Sequence, residues 1–413
     1  MPNLRWLKIK VKRLMIPIEE ATKIVLEHSK SYGEEAVPLA EAIGRVLRQD
    51  ILADRDFPPF TRVTMDGIAI RFNAYANGQR KFPIEGMQPA GSPQRTLHNP
   101  DGCLEVMTGA ILPENTDTVI RYEDVKVENG SARLQSNDIK KGQNAHLRAF
   151  DRREGEQIVR AGAIISPAEV GVAATVGLSS LKVARLPTVA IISTGDELVE
   201  VEETPEPHQI RTSNVYTIAS ALSRWGIRTD KLHIADDMDA TRAKLSACLE
   251  QYDVLILSGG VSKGKFDYIP AALNALGTKK LFHKIKQRPG KPFWFGESAN
   301  GKVIFALPGN PVSAFMCTMR YIRPWIRKSL ELEPMDYAYA VLAEDFKFKP
   351  DLTYFLQVRT SFDPETGRLM AIPVEGHGSG DLANLVDADG FLELPREKDK
   401  FKKGKVFPLI FYR

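Results

Sequence analysis

The five residues Val254–Ser258, in the stretch "DVLILSGGVSKGKFDY", constrain this chain more than any other. They do not alternate between apolar and polar. Such a run reads as a strand buried on both faces, and strands of that kind belong to parallel sheets covered by helices. The surrounding rhythm agrees. "TVAIIS" reads as a strand and "SNVYTIASALSRWG" as a helix with Val215, Ile218, Ala219 and Leu222 on one face. "ATRAKLSACLEQ" reads as a second helix that Asp239 caps. "YIPAALNALG" follows as a helix, "KVIFALPGNP" as a strand entering a turn, and "VSAFMCTMRYIRPWI" as a closing helix. Repeated units of this type imply an α/β/α sandwich over about 185–330.

With 413 residues the chain is too long for a single core, so two to four domains are expected. Leu39, Ala42, Ile43, Val46 and Leu47 recur at helical spacing within 17–50, and the pattern stops at "DRDFPPF". Ser166, Pro167 and Glu169 form a capping box that opens another helix, which Gly177 ends. Between these, "TVIRYEDVKVENGSARL" alternates around Asn129-Gly130, a hairpin signal. The expected organisation is a split helical domain (15–52 plus 148–184), an inserted β-rich domain (53–147), the α/β domain (185–330) and a β domain (335–413). The last rests on a hairpin in "YFLQVRTSFDPETGRLMAIPV" followed by "GFLELP" and "KVFPLIFY".

Bulk properties exclude several classes. A net charge of +4 is too mild for a nucleic-acid binder. No run approaches the ~18 apolar residues of a membrane span. Cys103, Cys248 and Cys317 lie far apart, so neither a zinc site nor a disulfide framework is indicated, and a cytoplasmic location is expected. Lysines interrupt the opening "MPNLRWLKIKVKRLMI", which therefore lacks the character of a secretory signal and reads as a short extension ahead of Met15.

Ligands of parallel sheets bind at the carboxyl ends of the strands. Three distinctive turns fall there. In "SGGVSKGKFD", Gly259 and Gly260 allow close backbone approach, and their N–H groups with the Ser258 and Ser262 hydroxyls suit an anion. Lys263 and Lys265 add charge. Asp267 suits a cation between itself and a phosphate, for which Mg²⁺ fits. A glycine turn with an ordinary aspartate cap has the same appearance. In "LPGNP", Asn310 and Pro311 suit the start of a helix, preceded by Pro308 and Gly309. "STGDEL" places Asp196 and Glu197 together after Thr194 and Gly195, as a metal site or a solvated loop would. In "KKLFHKIKQRPGKP", strand alternation would point Lys284, Lys286 and Arg288 one way, and Pro289-Gly290 would set a turn that aims Lys291.

"STGDEL", "SGGVSKGKFDY", "RPGKPFWFG" and "LPGNPVSAF", preceded by "PPFTRVTMDGIA" and "MTGAILPENTDTVI", occur in an order that resembles the molybdopterin molybdenumtransferases, the MoeA/gephyrin-E family. The resemblance runs from about Met15 to the C-terminus. It implies a Mog-like α/β domain, a C-terminal β-barrel and a homodimer whose cleft joins two subunits. The implied reaction inserts molybdate into adenylylated molybdopterin, with Mg²⁺-dependent release of AMP. Molybdopterin adenylyltransferase and cofactor-accepting apoenzymes become expected partners. Catalytic roles fall by resemblance on Asp66, Thr108, Glu197, Asp237, Asp267 and Lys284, with Glu197, Asp237 and Asp267 toward the metal. Substrate-binding roles fall on Thr194, Gly195, Asp196, Ser258, Gly259, Gly260, Ser262, Arg288, Lys291, Pro308, Gly309, Asn310, Pro311 and Ser379. The chain departs from the family pattern at Arg62, Ile68, Gln157, Lys263, Arg288 and Gln357. Those departures leave two other readings, a binding or scaffold relative without turnover and an adenylyltransferase.

Overall fold

The structure, a computed structural model, describes residues 15–260, 268–376, 378 and 380–413. Two compact units result, one of residues up to Glu35 together with Ala184–Arg413, the other of Ala36–Val183.

The larger unit is built on a six-stranded sheet. Its order is Thr229–Ile234, Val189–Thr194, Val254–Ser258, Val303–Leu307, Trp294–Glu297 and Lys279–His283. The first four strands are parallel and the last two run antiparallel to their neighbours. Val189–Thr194, Val254–Ser258 and Val303–Leu307 are buried at every position, as their unbroken apolar runs require. One face packs against helices Met238–Gln251 and Ile269–Ala275 through Leu245, Cys248, Ala272 and Leu273.

Five further strands in this unit close into a barrel. Thr353–Phe362 pairs with Leu369–Pro373, which pairs with Ala338–Leu342, then Val406–Phe411, then Gly390–Leu394, which returns to Thr353–Phe362. Closure removes the exposed edges that an open sheet would present. Leu342, Val358, Leu392, Leu394 and Leu409 fill it.

The smaller unit holds its own six-stranded sheet, ordered Thr118–Arg121, Gly67–Ile70, Cys103–Val106, Lys81–Gln88, Ser131–Leu134 and Val125–Glu128. The expected hairpin joins the last two strands. Asn129 and Gly130 take φ of 49° and 67°, the left-handed geometry of a two-residue turn. The capping box at Ser166 forms as expected and starts helix Pro167–Thr175.

The helical pattern at Leu39–Leu47 is not a helix. Only Leu39–Glu41 makes a single 3₁₀ turn, and Gly44 at φ +77° breaks the path. Val46 and Leu47 instead form bridges to Ile164 and Val183. The apolar spacing still marks the core, since Ala42, Val46 and Leu47 are buried, while Ile43 is exposed. Among the described residues near the N-terminus, the helix is Ile18–Glu27.

Candidate functional site

The strand ends converge on a cleft of about 520 Å³ in the larger unit. Three consecutive strands of the sheet deliver its walls: Thr194, Gly195 and Glu197 after the first, Ser258–Gly260 after the second, and Pro308–Pro311 after the third. Gly260 sits at φ +67°, and a Cβ there would lie 2.7 Å from Ile269 Cγ1 and 3.0 Å from Thr194 Oγ1. The turn is thus closed to a side chain at Gly260, and the Gly259 N–H donates to the Leu307 carbonyl at 3.2 Å, which leaves Gly260 as the candidate anion-binding amide. Of the predicted residues, Thr194, Gly195, Glu197, Ser258, Gly259, Gly260, Pro308, Gly309, Asn310 and Pro311 are brought together here.

Asn214 was not foreseen as a site residue, because its place in "TSNVY" reads as an ordinary helix start. Its Nδ2 donates to Ser258 Oγ at 2.8 Å and to the Gly309 carbonyl at 2.7 Å, tying two strand ends together. Its buried Oδ1 has no hydrogen-bond partner among the described residues. A buried acceptor left so costs free energy until a ligand donor reaches it. Asp236 also lines the cleft, and its N–H donates to Asp196 Oδ1 at 3.0 Å. Asp196 therefore braces two loops and is not on the cleft wall. The helix cap falls on Asp237, whose Oδ1 accepts from the Ala240 N–H at 2.7 Å. Asp239 is two positions too late, already inside the first turn of the helix.

A second cleft, about 550 Å³, adjoins the first and shares Pro292, Pro308 and Asn310 with it. Arg288 and Lys291 line it, opposite Tyr354, Phe355 and Gln357 of the barrel. The Gln357 Oε1 is buried without a partner among the described residues. The turn that carries Arg288 and Lys291 is fixed from below. Gln287, fully buried, donates from Nε2 to the Gly290 carbonyl at 2.9 Å, and its Oε1 accepts from the Tyr321 hydroxyl at 2.5 Å. The expected alternation of Lys284, Lys286 and Arg288 on one strand face does not occur. The strand ends at His283, Lys284 turns at φ +82°, and Lys286 lies 4.0 Å from Asp351. Lys284 is on the wall of neither cleft.

In the smaller unit, Asp66 and Thr108 meet as a pair. Asp66 Oδ1 accepts from the Thr108 hydroxyl at 2.7 Å and from its N–H at 2.6 Å. These two bonds hold the exposed Asp66 carboxyl below its ordinary range. Asp267, Ser262 and Ser379 lie outside the described residues, as do Lys263 and Lys265. Among the described residues no cluster of three or more histidine, cysteine, aspartate or glutamate side chains stands ready for a metal, and no helix is long and apolar enough to cross a membrane.

Residues 16–177 match the MoeA N-terminal region (domain I and II), 190–328 a probable molybdopterin binding domain, and 339–412 the MoeA C-terminal region (domain IV). The chain is 40% identical to a molybdopterin molybdenumtransferase of Synechocystis sp. over 95% of its own length and 99% of that protein. It is 32% identical to a Bacillus subtilis protein of the same name, over 97% and 95% of the two chains. A molybdopterin biosynthesis MoeA protein from Pyrococcus horikoshii superposes with a TM-score of 0.81 at 28% identity, covering 97% of this chain and 99% of that one.

Proposed function

The chain belongs to the MoeA family, transferases of molybdenum cofactor biosynthesis, and from that premise we propose that it inserts molybdate into adenylylated molybdopterin with release of AMP. The observation that carries the proposal is the cleft at the three strand ends, with its glycine turn closed to side chains and an Asn214 oxygen that has no partner among the described residues.

In this reading the phosphates of the adenylylated pterin lie against the Gly260 amide and the hydroxyls of Thr194 and Ser258. Backbone amides serve an anion well because they carry no counter-charge to displace. Asn214 Oδ1 accepts a hydrogen bond from the bound substrate. Molybdate, a dianion, is drawn to Arg288 and Lys291 in the adjoining cleft. The shared wall at Pro292, Pro308 and Asn310 sets the two anions side by side, so the dithiolene can reach the metal of the oxyanion. The cleft residues Glu197 and Asp236 supply hard oxygen donors. That suits Mg²⁺, which takes one or two carboxylates plus phosphate oxygens. Asp267 is a further candidate ligand, and Asp237 has one carboxylate oxygen committed to its helix cap. Bound there, Mg²⁺ would offset the charge that develops on the phosphate oxygens as AMP leaves. Lys284 retains its proposed role only through a rearrangement that brings it to the cleft.

The proposal includes a homodimer in which Asp66 and Thr108 of a second copy complete the cleft, and the four-part division into 15–52 with 148–184, 53–147, 185–330 and 335–413.

The test supplies purified protein with adenylylated molybdopterin, Mg²⁺ and molybdate, and measures AMP by chromatography. Molybdate-dependent AMP release is expected. Tight pterin binding without release would make this a binding relative, and ATP-dependent formation of the adenylylated pterin would make it an adenylyltransferase.

A further inference from the structure

A third cavity, about 460 Å³, shares no lining residue with either cleft. It lies where helices Asn214–Ser223 and Pro311–Cys317 approach the last barrel strand, Val406–Phe411. Arg224, Arg323 and Arg413 line it together with Trp225, Phe315 and Phe411, and among the described residues no acidic side chain does.

Carbonyl oxygens hold two of the guanidiniums, and a single shared carboxylate meets the third. Arg224 donates to the Tyr412 carbonyl. Arg413 donates to the Leu385 and Val386 carbonyls at 3.2 and 2.8 Å. Arg323 meets Asp336 at 2.7 Å, but Arg327 shares that carboxylate at 3.3 Å. Cations therefore outnumber anions, even if a terminal carboxylate at Arg413 is counted against them. Burial, with Arg327 and Arg224 nearby, holds the Arg323 guanidinium below its ordinary range despite Asp336. Arg323 is half-buried and Arg224 and Arg413 are exposed, so the like charges repel across a solvated mouth, and an anion that joins them relieves the repulsion. The backbone is also unusual here. Thr318–Ile322 forms a π-helical turn, which sets Met319 and Arg323 on the cavity wall. Such turns occur often at functional sites.

We propose that this cavity is a second ligand site, for a small organic anion with an aromatic body: the ring lies on the apolar wall of Trp225, Phe315 and Phe411 and the anionic group faces Arg224 and Arg323. Planar guanidiniums accept carboxylate and phosphate in paired hydrogen bonds and also stack on rings, which suits both halves of such a ligand.

Trp225 is the reporter on the cavity wall; Trp294 and Trp325 are buried elsewhere at 2% and 0% exposure, and Trp6, outside the described residues, is separated from it by the Trp225→Phe control. The protein is titrated with phenyl phosphate while tryptophan fluorescence is recorded, then with phenol and with inorganic phosphate. The proposal expects a saturable change with phenyl phosphate that requires at least tenfold more phenol or inorganic phosphate. Trp225→Phe removes the change. Arg224→Gln, at an exposed side chain, weakens it at least threefold, and Thr217→Phe, which fills the cavity, abolishes it. Arg288→Gln in the neighbouring cleft leaves it intact. A change that survives Trp225→Phe or Thr217→Phe overturns the proposal, as does phenol binding as tightly as its phosphate ester, or no saturable change. None of these readings depends on molybdenum transfer, so failure here and failure of the proposed reaction are separable.

Discussion

The turn that presents Arg288 and Lys291 stands on one buried hydrogen-bonded pair, Gln287 and Tyr321, and breaking that pair should loosen the turn in a calculable way. Gln287 is 0% exposed and Tyr321 1% exposed, so water cannot replace either partner. Tyr321→Phe removes only the hydroxyl and strands Gln287 Oε1. An unsatisfied buried acceptor costs about 1–3 kcal/mol. Gln287→Leu strands the tyrosine hydroxyl and also releases the Gly290 carbonyl, so its cost should be at least as large. Together the two changes remove donor and acceptor at once, and the double variant should cost about 1–2 kcal/mol less than the sum of the singles. The turn has little slack, since a Cβ at Gly290 would lie 2.6 Å from Cys317 Sγ and 2.8 Å from Gln287 Nε2. The cycle is read from guanidinium unfolding midpoints. In parallel, the KM for molybdate should rise several-fold in Tyr321→Phe while kcat holds, as expected when ground-state positioning is lost. Strictly additive losses, or a kcat that falls with KM unchanged, would refute this account of the turn.

Other consequences are open to test. Gly260→Ala forces a left-handed residue into contact with Ile269 and Thr194 and should cost about 1–3 kcal/mol by thermal unfolding, with weakened pterin binding by calorimetry. Asp237→Ala should lose the helix cap and about 0.5–2 kcal/mol, whereas Asp237→Asn keeps the cap; lost turnover in a stable Asp237→Asn protein would identify a ligand role beyond capping. Asp66 should titrate below an ordinary aspartate in carbon-detected NMR, and Thr108→Val should move it back up. Because its folded value is depressed, the bonds favour the folded state above the ordinary aspartate pKa, and that advantage disappears as pH falls through the lowered value.

The α/β core was legible because buried parallel strands leave unbroken apolar runs and their glycine turns follow at once. Val254–Ser258 and Val303–Leu307 show both features. The hairpin at Asn129-Gly130 and the capping box at Ser166 were legible because local chemistry decides them. The stretch Leu39–Leu47 misled because burial at helical spacing does not require a helix. Gly44 and long-range bridges to Ile164 and Val183 decide its path, and those partners lie more than a hundred residues away. Lys284 misled for a related reason, since strand alternation holds only while the strand continues. Asn214 escaped notice because its partners, Ser258 and Gly309, are near it only after the sheet forms. Gln287 looked like one more polar residue in a basic stretch, and only its complete burial shows it to be the support of the turn.

The central claim is that an anionic pterin nucleotide sits at the strand ends of the α/β sheet. A crystal structure of the protein with adenylylated molybdopterin tests it most directly. The account predicts phosphate oxygens within hydrogen-bond distance of the Gly260 amide and the Ser258 hydroxyl, and a substrate donor on Asn214 Oδ1. Density for the pterin at some other surface, with the glycine turn in contact only with solvent, would contradict it.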